Sequence, residues 1–338
     1  MIVLLLIIAA AGTYAGFRIY VESVVKPVDA NSTSYVNIVI PEGAGANKVG
    51  EILEGYGLIK DTSDFKLISR LEGYDGKLQA GEFTLSPAMN MRELLKVLTS
   101  GNANTKRFTI PEGLTVAKTA DKLEAEGFIN KEKFMEALET GEYPYKFIEY
   151  LPDGDNRFEG FLFPETYDIF TTATEEDIIN RMLAQFDLEY IDEYYVKAEE
   201  LGFSMLEIIT IASLIEAEAA VAVDRPLIAS VIYNRLSIPM PLQIDATVLY
   251  ALGETKERVL IKDTQIEHPY NTYHIPGLPP GPICSPGADS IRAALNPAQT
   301  EYIFYVRKPD NTGEHNFATN ITDFNRFKRQ YLDFRYDD

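Results

Sequence analysis

The 338-residue chain has no tryptophan, one cysteine and three histidines. A single cysteine cannot form an internal disulfide, and it excludes a cysteine framework or a zinc ribbon. His268, His274 and His315 lie next to turn residues, without the HExxH or CxxC spacing of a zinc hydrolase. The sequence therefore predicts no metal site and no cofactor.

Basic residues are scarce as well. The chain has 31 Lys and Arg against 51 Asp and Glu, which gives a net charge of −20. Such an acidic chain repels phosphate backbones, so no nucleic-acid partner is predicted. The hydrophobic fraction of 46% is ample for a sizeable core, and the length suggests about two domains.

Charged residues are absent from the first 17 positions, MIVLLLIIAAAGTYAGF. Residues 1–20 have about the length that spans a bilayer, roughly 17–25 residues, and they predict a transmembrane anchor. A single-pass anchor in the cell membrane would place the rest of the chain outside the cytoplasm. A signal peptide and a buried core helix are the alternatives. Residues 21–34 are polar and rich in turn formers, and they predict a linker.

Residues 36–59 and 106–129 form an internal repeat at a constant offset of 70, with IPEG at 40–43 and again at 110–113. Each copy reads as a strand, a Pro-Gly turn, a helix and a glycine stop. The first copy continues to a second strand, GEFTL, which predicts a βααβ module over 35–104. This module resembles LysM, a fold associated with N-acetylglucosamine polymers; a spacer off the membrane is the alternative.

Residues 105–338, which include the second repeat copy at 106–140, predict a catalytic domain of the α+β class. Helices and short strands follow one another there without regular alternation. A long segment rich in proline and glycine, 268–290, interrupts them, and long ordered loops tend to carry function. A hairpin is predicted around residues 311–313, Asn-Thr-Gly.

The stretch IASLIEAEAA, residues 211–220, places two glutamates in an apolar helix. Ser204 and Glu207 have capping-box spacing, which fixes the start of the helix. Glu216 and Glu218 then lie about 200° apart around it and cannot share one site. Small neighbours predict a groove beside Glu216, with Ser213 as its hydrogen-bond partner, whereas Glu218 has bulkier neighbours. The small neighbours are Ala212, Ser213, Ala219 and Ala220.

A carboxyl in an apolar wall has a raised pKa, because desolvation penalises the charged form. It can then donate a proton to a leaving oxygen and take one back, as cleavage of a glycosidic bond requires. The alternative is a buried glutamate paired with an arginine, for which Arg225 and Arg235 are available. The pattern alone leaves both interpretations open for Glu216.

Six motifs occur in a fixed order: EGFLFPETY (159–167), ASLIEAEA (212–219), VIYNRL (231–236), LQIDATVLYALG (242–253), YNTYHIPGLPPGPICSPG (270–287) and HNFATN (315–320). Together they resemble the YceG-like endolytic murein transglycosylases. The likeness covers roughly residues 105–330, and the anchor and the LysM-like module complete the family layout. The chain departs from the family pattern at Ala217 and Ala246, where lysine and proline are expected.

The resemblance implies cleavage of the MurNAc–GlcNAc bond of peptidoglycan without water, which leaves 1,6-anhydro-MurNAc ends and ends strand elongation. It implies that the first glutamate of ASxxExE, here Glu216, is catalytic, and that the partners are glycan strands and wall synthases such as penicillin-binding proteins. A hydrolytic muramidase and a non-catalytic wall-binding scaffold are the alternative functions.

Ser213, Gln243, Asn271 and Tyr273 are the predicted substrate contacts. Amide side chains match the paired donors and acceptors of N-acetyl and hydroxyl groups, and tyrosines can stack on sugar rings. For the two amides, hydrogen bonding within the loop is the alternative.

Two further carboxylates receive structural interpretations. Glu159 is predicted to be a partner of backbone or arginine rather than a second acid. Asp245 is predicted to be a helix cap. An ordinary glycosidase requires two carboxyls at set separations, whereas lytic chemistry requires one, because the nucleophile belongs to the substrate.

Overall fold

The computed structural model describes residues 16–30, 32, 36–100, 105–152, 154, 156–170, 173–254, 256 and 259–336. Most of the predicted anchor, residues 1–15, lies outside this part of the chain. Residues 16–24 are helical, so the helix extends four residues into the predicted linker. Among the described residues, no helix has the length and apolar character needed to cross a membrane.

The contacts divide the chain into two units, Met1–Arg107 with Asp168–Thr172, and Phe108–Tyr167 with Ala173–Asp338. The elements of the first unit are β1 (Val36–Ile40), α1 (Ala46–Gly55), α2 (Thr62–Leu71), β2 (Gly81–Leu85) and α3 (Met91–Thr99). Strands β1 and β2 pair antiparallel, with Val36 opposite Leu85. The predicted βααβ order is confirmed, and its likeness to LysM stays a prediction.

Alternation and capping explain these elements. In β1, Ile38 and Ile40 are buried while Val39 between them is exposed, as expected of a strand with one covered face. Helix α3 begins with a capping box between Asn90 and Glu93. The two strands and three helices of the unit enclose one apolar core.

The remaining elements are β3 (Thr105–Thr109), α4 (Val116–Ala125), α5 (Lys131–Thr140), β4 (Thr166–Phe170), α6 (Glu175–Glu189), α7 (Asp192–Leu201), α8 (Met205–Glu218), α9 (Arg225–Ser237), α10 (Asp245–Leu252), α11 (Ala288–Leu295), β5 (Phe304–Arg307), β6 (His315–Ala318) and α12 (Ile321–Tyr336). Strand β3 pairs with β4, and β5 pairs antiparallel with β6. The α+β class is confirmed. Helices α1 and α4 have the same length and begin 70 residues apart, which confirms the repeat.

Helix α8 is the central helix of the second unit. Ser204 and Glu207 form the predicted capping box, and every residue from Ile208 to Ile215 is buried. A helix that is apolar on all sides requires neighbours on all sides, and α8 contacts α7, α9, α10 and α11. It ends at Glu218, because Ala219 has an extended backbone. The two glutamates therefore lie where the helix leaves the core.

The predicted hairpin is confirmed. Strands β5 and β6 pair with Phe304 opposite Ala318 and Arg307 opposite His315. The connecting turn has positive φ at Asn311 (58°) and Gly313 (82°), a conformation that Asn and Gly adopt most readily.

Candidate active site

Glu216, near the end of α8, is paired with protein groups. The Gly287 N–H donates to its Oε2 at 3.1 Å, and Arg225 Nη2 lies 3.7 Å from its Oε1. The Glu216 side chain is only 8% exposed. Arg225 also lies 4.0 Å from Glu112 and donates to Ser290 Oγ at 3.2 Å. Of the two interpretations of a glutamate in this helix, the structure gives Glu216 the arginine pair.

The loop rich in proline and glycine packs against the part of α8 before Glu216, at Ser213. Ser213 Oγ accepts a hydrogen bond from the Ile283 N–H at 3.1 Å and donates to the Thr210 carbonyl at 2.7 Å. Cys284 Sγ lies 3.5 Å from the Ser213 carbonyl oxygen. The predicted Ser213–Glu216 hydrogen bond is therefore absent. Ser213 is fully buried, so it offers no atom to a sugar in this structure.

Backbone contacts hold the same loop against two other segments. The second IPEG turn pairs with it, because the Gly113 N–H donates to the Ser285 carbonyl at 2.9 Å and the Ser285 N–H donates to the Leu114 carbonyl at 2.8 Å. Gly160 has φ 90°, and a Cβ there would lie 2.6 Å from Pro282 Cβ. Sequence analysis missed this docking role, although the repeated IPEG turn marked one of the segments.

Glu218 is a second carboxyl at the end of α8, with partners different from those of Glu216. The Tyr305 hydroxyl donates to its Oε2 at 3.2 Å. Burial raises the pKa of the Glu218 carboxyl to about 7, and the negative charge of Asp245 acts in the same direction. The hydrogen bond from Tyr305 and the charge of Arg307 oppose this rise in the pKa. The result is a carboxyl that can hold or release a proton near neutral pH.

Asp245 and Tyr273 lie on the same side as Glu218. The Tyr273 hydroxyl donates to Asp245 Oδ1 at 2.6 Å, and the charges of Asp245 and Glu218 both help burial raise the pKa of Tyr273. The predicted cap role of Asp245 is wrong, because Ile244 is the N-cap and Asp245 is the first residue of α10. Its side chain is exposed and accepts from Tyr273 instead.

The two predicted amide contacts have different surroundings. Asn271 is fully buried; its Nδ2 donates to the Thr264 carbonyl at 3.0 Å and the Ile266 carbonyl at 2.8 Å, and its Oδ1 accepts from the Tyr273 N–H. Its side chain stabilises the loop through these hydrogen bonds, which was the alternative interpretation, and it is not available to a substrate. Gln243 is exposed with φ 50°, and it stays a predicted sugar contact.

A cleft of about 980 Å³ passes the end of α8, and Ala217 and Ala246 are among its lining residues. Glu159 lies in its wall, 4% exposed, and accepts from the Val116 N–H at 3.1 Å and the Tyr250 hydroxyl at 3.3 Å. Burial raises the pKa of Glu159 to about 7, against the effect of these donors. The predicted backbone partnership of Glu159 is thus observed.

Aromatic and polar side chains complete the cleft. The rings of Tyr250 and Tyr270 lie 4.8 Å apart at its wall, and Lys118, Asp121, Asn156 and His268 supply polar groups. Within the described part of the chain, no group of three or more His, Cys, Asp or Glu could hold a metal ion. The lining suits a polar, ring-shaped ligand.

Known proteins resemble this chain over most of its length. A Bacillus subtilis (strain 168) protein named endolytic murein transglycosylase is 35% identical over 329 residues, which cover 94% of this chain and 90% of that protein. A protein of the same name from Streptococcus pneumoniae serotype 2 (strain D39) is 35% identical over 350 residues, covering 95% of this chain and 62% of the relative.

A solved structure agrees with these relatives. The 2.6 Å crystal structure of a yceG-like protein from Listeria monocytogenes superposes with a TM-score of 0.59 at 33% identity, over 87% of this chain and 99% of that one. The sequence profile described as the YceG-like family matches residues 38–330. The chain belongs to the YceG-like family.

Proposed function

We propose that this protein is an endolytic murein transglycosylase. It cleaves the MurNAc–GlcNAc bond of peptidoglycan strands and leaves 1,6-anhydro-MurNAc ends, which terminates the growth of nascent strands. The observation that carries this proposal is the Glu216 carboxyl at the end of α8, which accepts the Gly287 N–H at 3.1 Å next to a cleft that Ala217 helps to line. The relatives that bear this activity in their names support the same reaction.

The proposal assigns the acid to Glu216, the first glutamate of the ASxxExE stretch that the family resemblance indicates. Its Oε2 accepts the Gly287 N–H at 3.1 Å, and Arg225 Nη2 lies 3.7 Å from its Oε1. These contacts orient the carboxyl next to the cleft that Gly113, Ala217 and Cys284 help to line. Glu218, which accepts a hydrogen bond from Tyr305, is in this proposal a structural residue.

The reaction needs one carboxyl in two protonation states. Protonated Glu216 donates its proton to the glycosidic oxygen, the bond from that oxygen to C1 of MurNAc breaks, and positive charge develops at C1. The carboxylate so formed takes the proton of the muramyl C6 hydroxyl while O6 bonds to C1. The proton returns to Glu216 and no water is consumed.

Asp245, Gln243 and Tyr273 have supporting roles in this proposal. The exposed Asp245 carboxyl is proposed to contribute negative charge, which stabilises a developing oxocarbenium ion. Tyr273 fixes the Asp245 carboxyl through its hydroxyl at 2.6 Å. Tyr273 and the exposed Gln243 are proposed to contact the sugars.

The test compares Glu218→Gln with Glu216→Gln in the full chain, because both substitutions keep size and remove the acid. Purified glycan strands are digested and the products are identified by mass spectrometry. We expect Glu216→Gln to lose about 10²–10⁴-fold in the release of anhydro ends, and Glu218→Gln to keep most of its turnover once folding is verified. Normal turnover in Glu216→Gln would remove Glu216 from the mechanism, and loss in Glu218→Gln alone would move the acid role to Glu218.

The same digest separates the alternative functions. Reducing ends in place of anhydro ends would indicate a hydrolytic muramidase. Strand binding by the wild-type chain without any product would indicate a wall-binding scaffold.

The location of the enzyme is part of the proposal. An apolar N-terminus and a murein substrate support a cell-membrane anchor at residues 1–20 with the catalytic part outside the cytoplasm. The βααβ module over 35–104 is proposed to bind glycan in the manner of LysM, and wall synthases are the proposed protein partners. In intact cells, added protease should digest the chain from outside while it stays in the membrane fraction; full protection would contradict this topology.

A further inference from the structure

The two IPEG turns of the internal repeat share a backbone conformation but have different surroundings. Gly43 in the first copy and Gly113 in the second have φ of 72° and 79°. A Cβ at Gly43 would have no described atom within 4 Å, whereas a Cβ at Gly113 would lie 3.9 Å from Glu216 Cγ. The second turn therefore lies against the proposed acid, and its own carboxylate, Glu112, has no part in the reaction as described so far.

Glu112 and Glu216 share two partners. Arg225 Nη2 lies 4.0 Å from Glu112 Oε2 and 3.7 Å from Glu216 Oε1. Gly287 donates its N–H to Glu216 Oε2 at 3.1 Å, and a Cβ at this glycine would overlap Glu112 Oε1. The two carboxyls thus lie against the same arginine and the same glycine, and the side chain of Glu112 is half exposed.

The charge of Arg225 opposes the first step of the proposed reaction. A cation next to a carboxyl favours the carboxylate form, whereas the reaction begins with Glu216 protonated. A second negative charge close to the cation offsets this effect. Burial and the charge of Glu216 raise the pKa of Glu112, and the charge of Arg225 lowers it, so the three groups act on one another.

Two further groups near these carboxyls contribute less. Asp289 on α11 raises the pKa of Glu112 by its charge, but its side chain is more than half exposed and is paired with Arg292. The Cys284 thiol lies within the electrostatic reach of Glu216, and burial raises the pKa of this thiol, so it stays neutral. The balance of charge at the acid is therefore set mainly by the arginine and the glutamate of the IPEG turn.

We propose that Glu112 is a positioning residue that shares Arg225 with Glu216 and offsets the charge of the arginine, so that Glu216 can hold the proton it delivers. This inference rests on the proposed role of Glu216 as the acid. Arg225 and Gly287 fix the direction of the Glu216 carboxyl. When the proton has left, the arginine stabilises the carboxylate that must accept the C6 hydroxyl proton.

The test is the pH profile of kcat/KM for Glu112→Gln in the full chain, measured as release of anhydro ends. The alkaline limb of this profile reports loss of the proton from Glu216. Without Glu112 the charge of Arg225 is no longer offset, so we expect the limb to move downward by about one pH unit and the rate above it to fall by about tenfold. An unmoved limb, or one that moves upward, would overturn the proposal.

Glu112→Asp separates the effect of charge from that of structure, because it keeps the negative charge and shortens the side chain. Its limb should lie closer to that of the wild-type chain than to that of Glu112→Gln, and a limb displaced as far as in Glu112→Gln would overturn the proposal. If Glu112→Gln fails to fold, Glu112→Ala replaces it with the same expected shift, since it removes the charge and adds no atoms.

Glu42→Gln is the matched control, because Glu42 occupies the same place in the IPEG turn of the first unit. Any effect of this variant on strand binding would scale the whole profile without moving the limb, which should coincide with that of the wild-type chain. A shift equal to that of Glu112→Gln would overturn the proposal. Normal turnover in Glu216→Gln would reject the assigned acid itself, a result distinct from any of these.

Discussion

Glu216 and Arg225 form an ion pair of 3.7 Å in which the two side chains are 8% and 15% exposed. Removal of one member of such a pair leaves an uncompensated charge in a poorly solvated place. We therefore expect Arg225→Met to lower the free energy of unfolding by about 3 kcal/mol, measured by chemical denaturation. Arg292→Met is the control, since the pair of Arg292 with Asp289 is more than half exposed and should contribute at most about 1 kcal/mol. Equal losses in the two variants would contradict the structural role of Arg225.

The stability of the second unit should depend on pH through Glu159. Burial raises its pKa from 4.5 to about 7, so the folded state binds more protons than the unfolded state between these values. Stability contributed by this group is therefore present at low pH and falls as pH rises through that window. Glu159→Gln removes this titratable group. The free energy of unfolding of the variant, taken relative to that of the wild type, should therefore increase by about 3 kcal/mol from pH 4.5 to pH 8.

Unfolding free energies at the two pH values check this gain. Glu126→Gln, a substitution in an exposed pair with Lys122, serves as the control and should follow the wild-type curve. A constant difference between Glu159→Gln and wild type over the whole pH range would contradict the buried, protonated carboxyl.

Gly160 should tolerate no side chain. A Cβ there would lie 2.6 Å from Pro282 Cβ and 3.1 Å from Ile209 Cγ2, and its φ of 90° is unfavourable for other residues. Relief requires the proline-rich loop to move away from α8, so we expect Gly160→Ala to cost at least about 3 kcal/mol in unfolding free energy. Gly127→Ala shares a positive φ of 74° but has nothing within 4 Å. It should cost only about 1–2 kcal/mol, and equal costs would argue against the packed loop.

The single thiol should be unreactive in the folded protein. Cys284 is 4% exposed, and burial raises the pKa of its thiol, with the charges of Glu159 and Glu216 acting in the same direction. Since the thiolate is the reactive form, alkylation by iodoacetamide at pH 8 should be at least about a hundredfold slower than in guanidinium-unfolded chain. Rapid alkylation without denaturant would show that the loop opens readily.

Local sequence signals predicted the framework well. The capping boxes at Ser204 and Asn90 placed the starts of α8 and α3, because the partners of a cap lie three residues away. The constant offset of 70 predicted the start of α4 from the start of α1, and the Asn-Thr-Gly turn predicted the hairpin. Each of these features is decided by residues close together in the chain, which is why sequence patterns suffice.

The contacts within the candidate site join residues that are far apart in the sequence, so sequence patterns did not predict them. Helix counting placed Glu216 and Glu218 on different faces, but it could not show that Arg225 and Gly287 meet the first and Tyr305 meets the second. Small residues near Glu216 indicated space, and the loop at 283–287 fills the part of it next to Ser213. Close approach of a backbone and entry of a ligand require the same small side chains, so composition cannot distinguish them.

Helix α8 ends on an acidic residue, Glu218, at the terminus where the helix dipole is negative. A neutral or basic side chain at this position would relieve both the dipole repulsion and the desolvation that raises the pKa of Glu218. Neutral or basic substitutions at position 218 should therefore increase heat tolerance. A mutant library screened for melting temperature should be enriched in such substitutions.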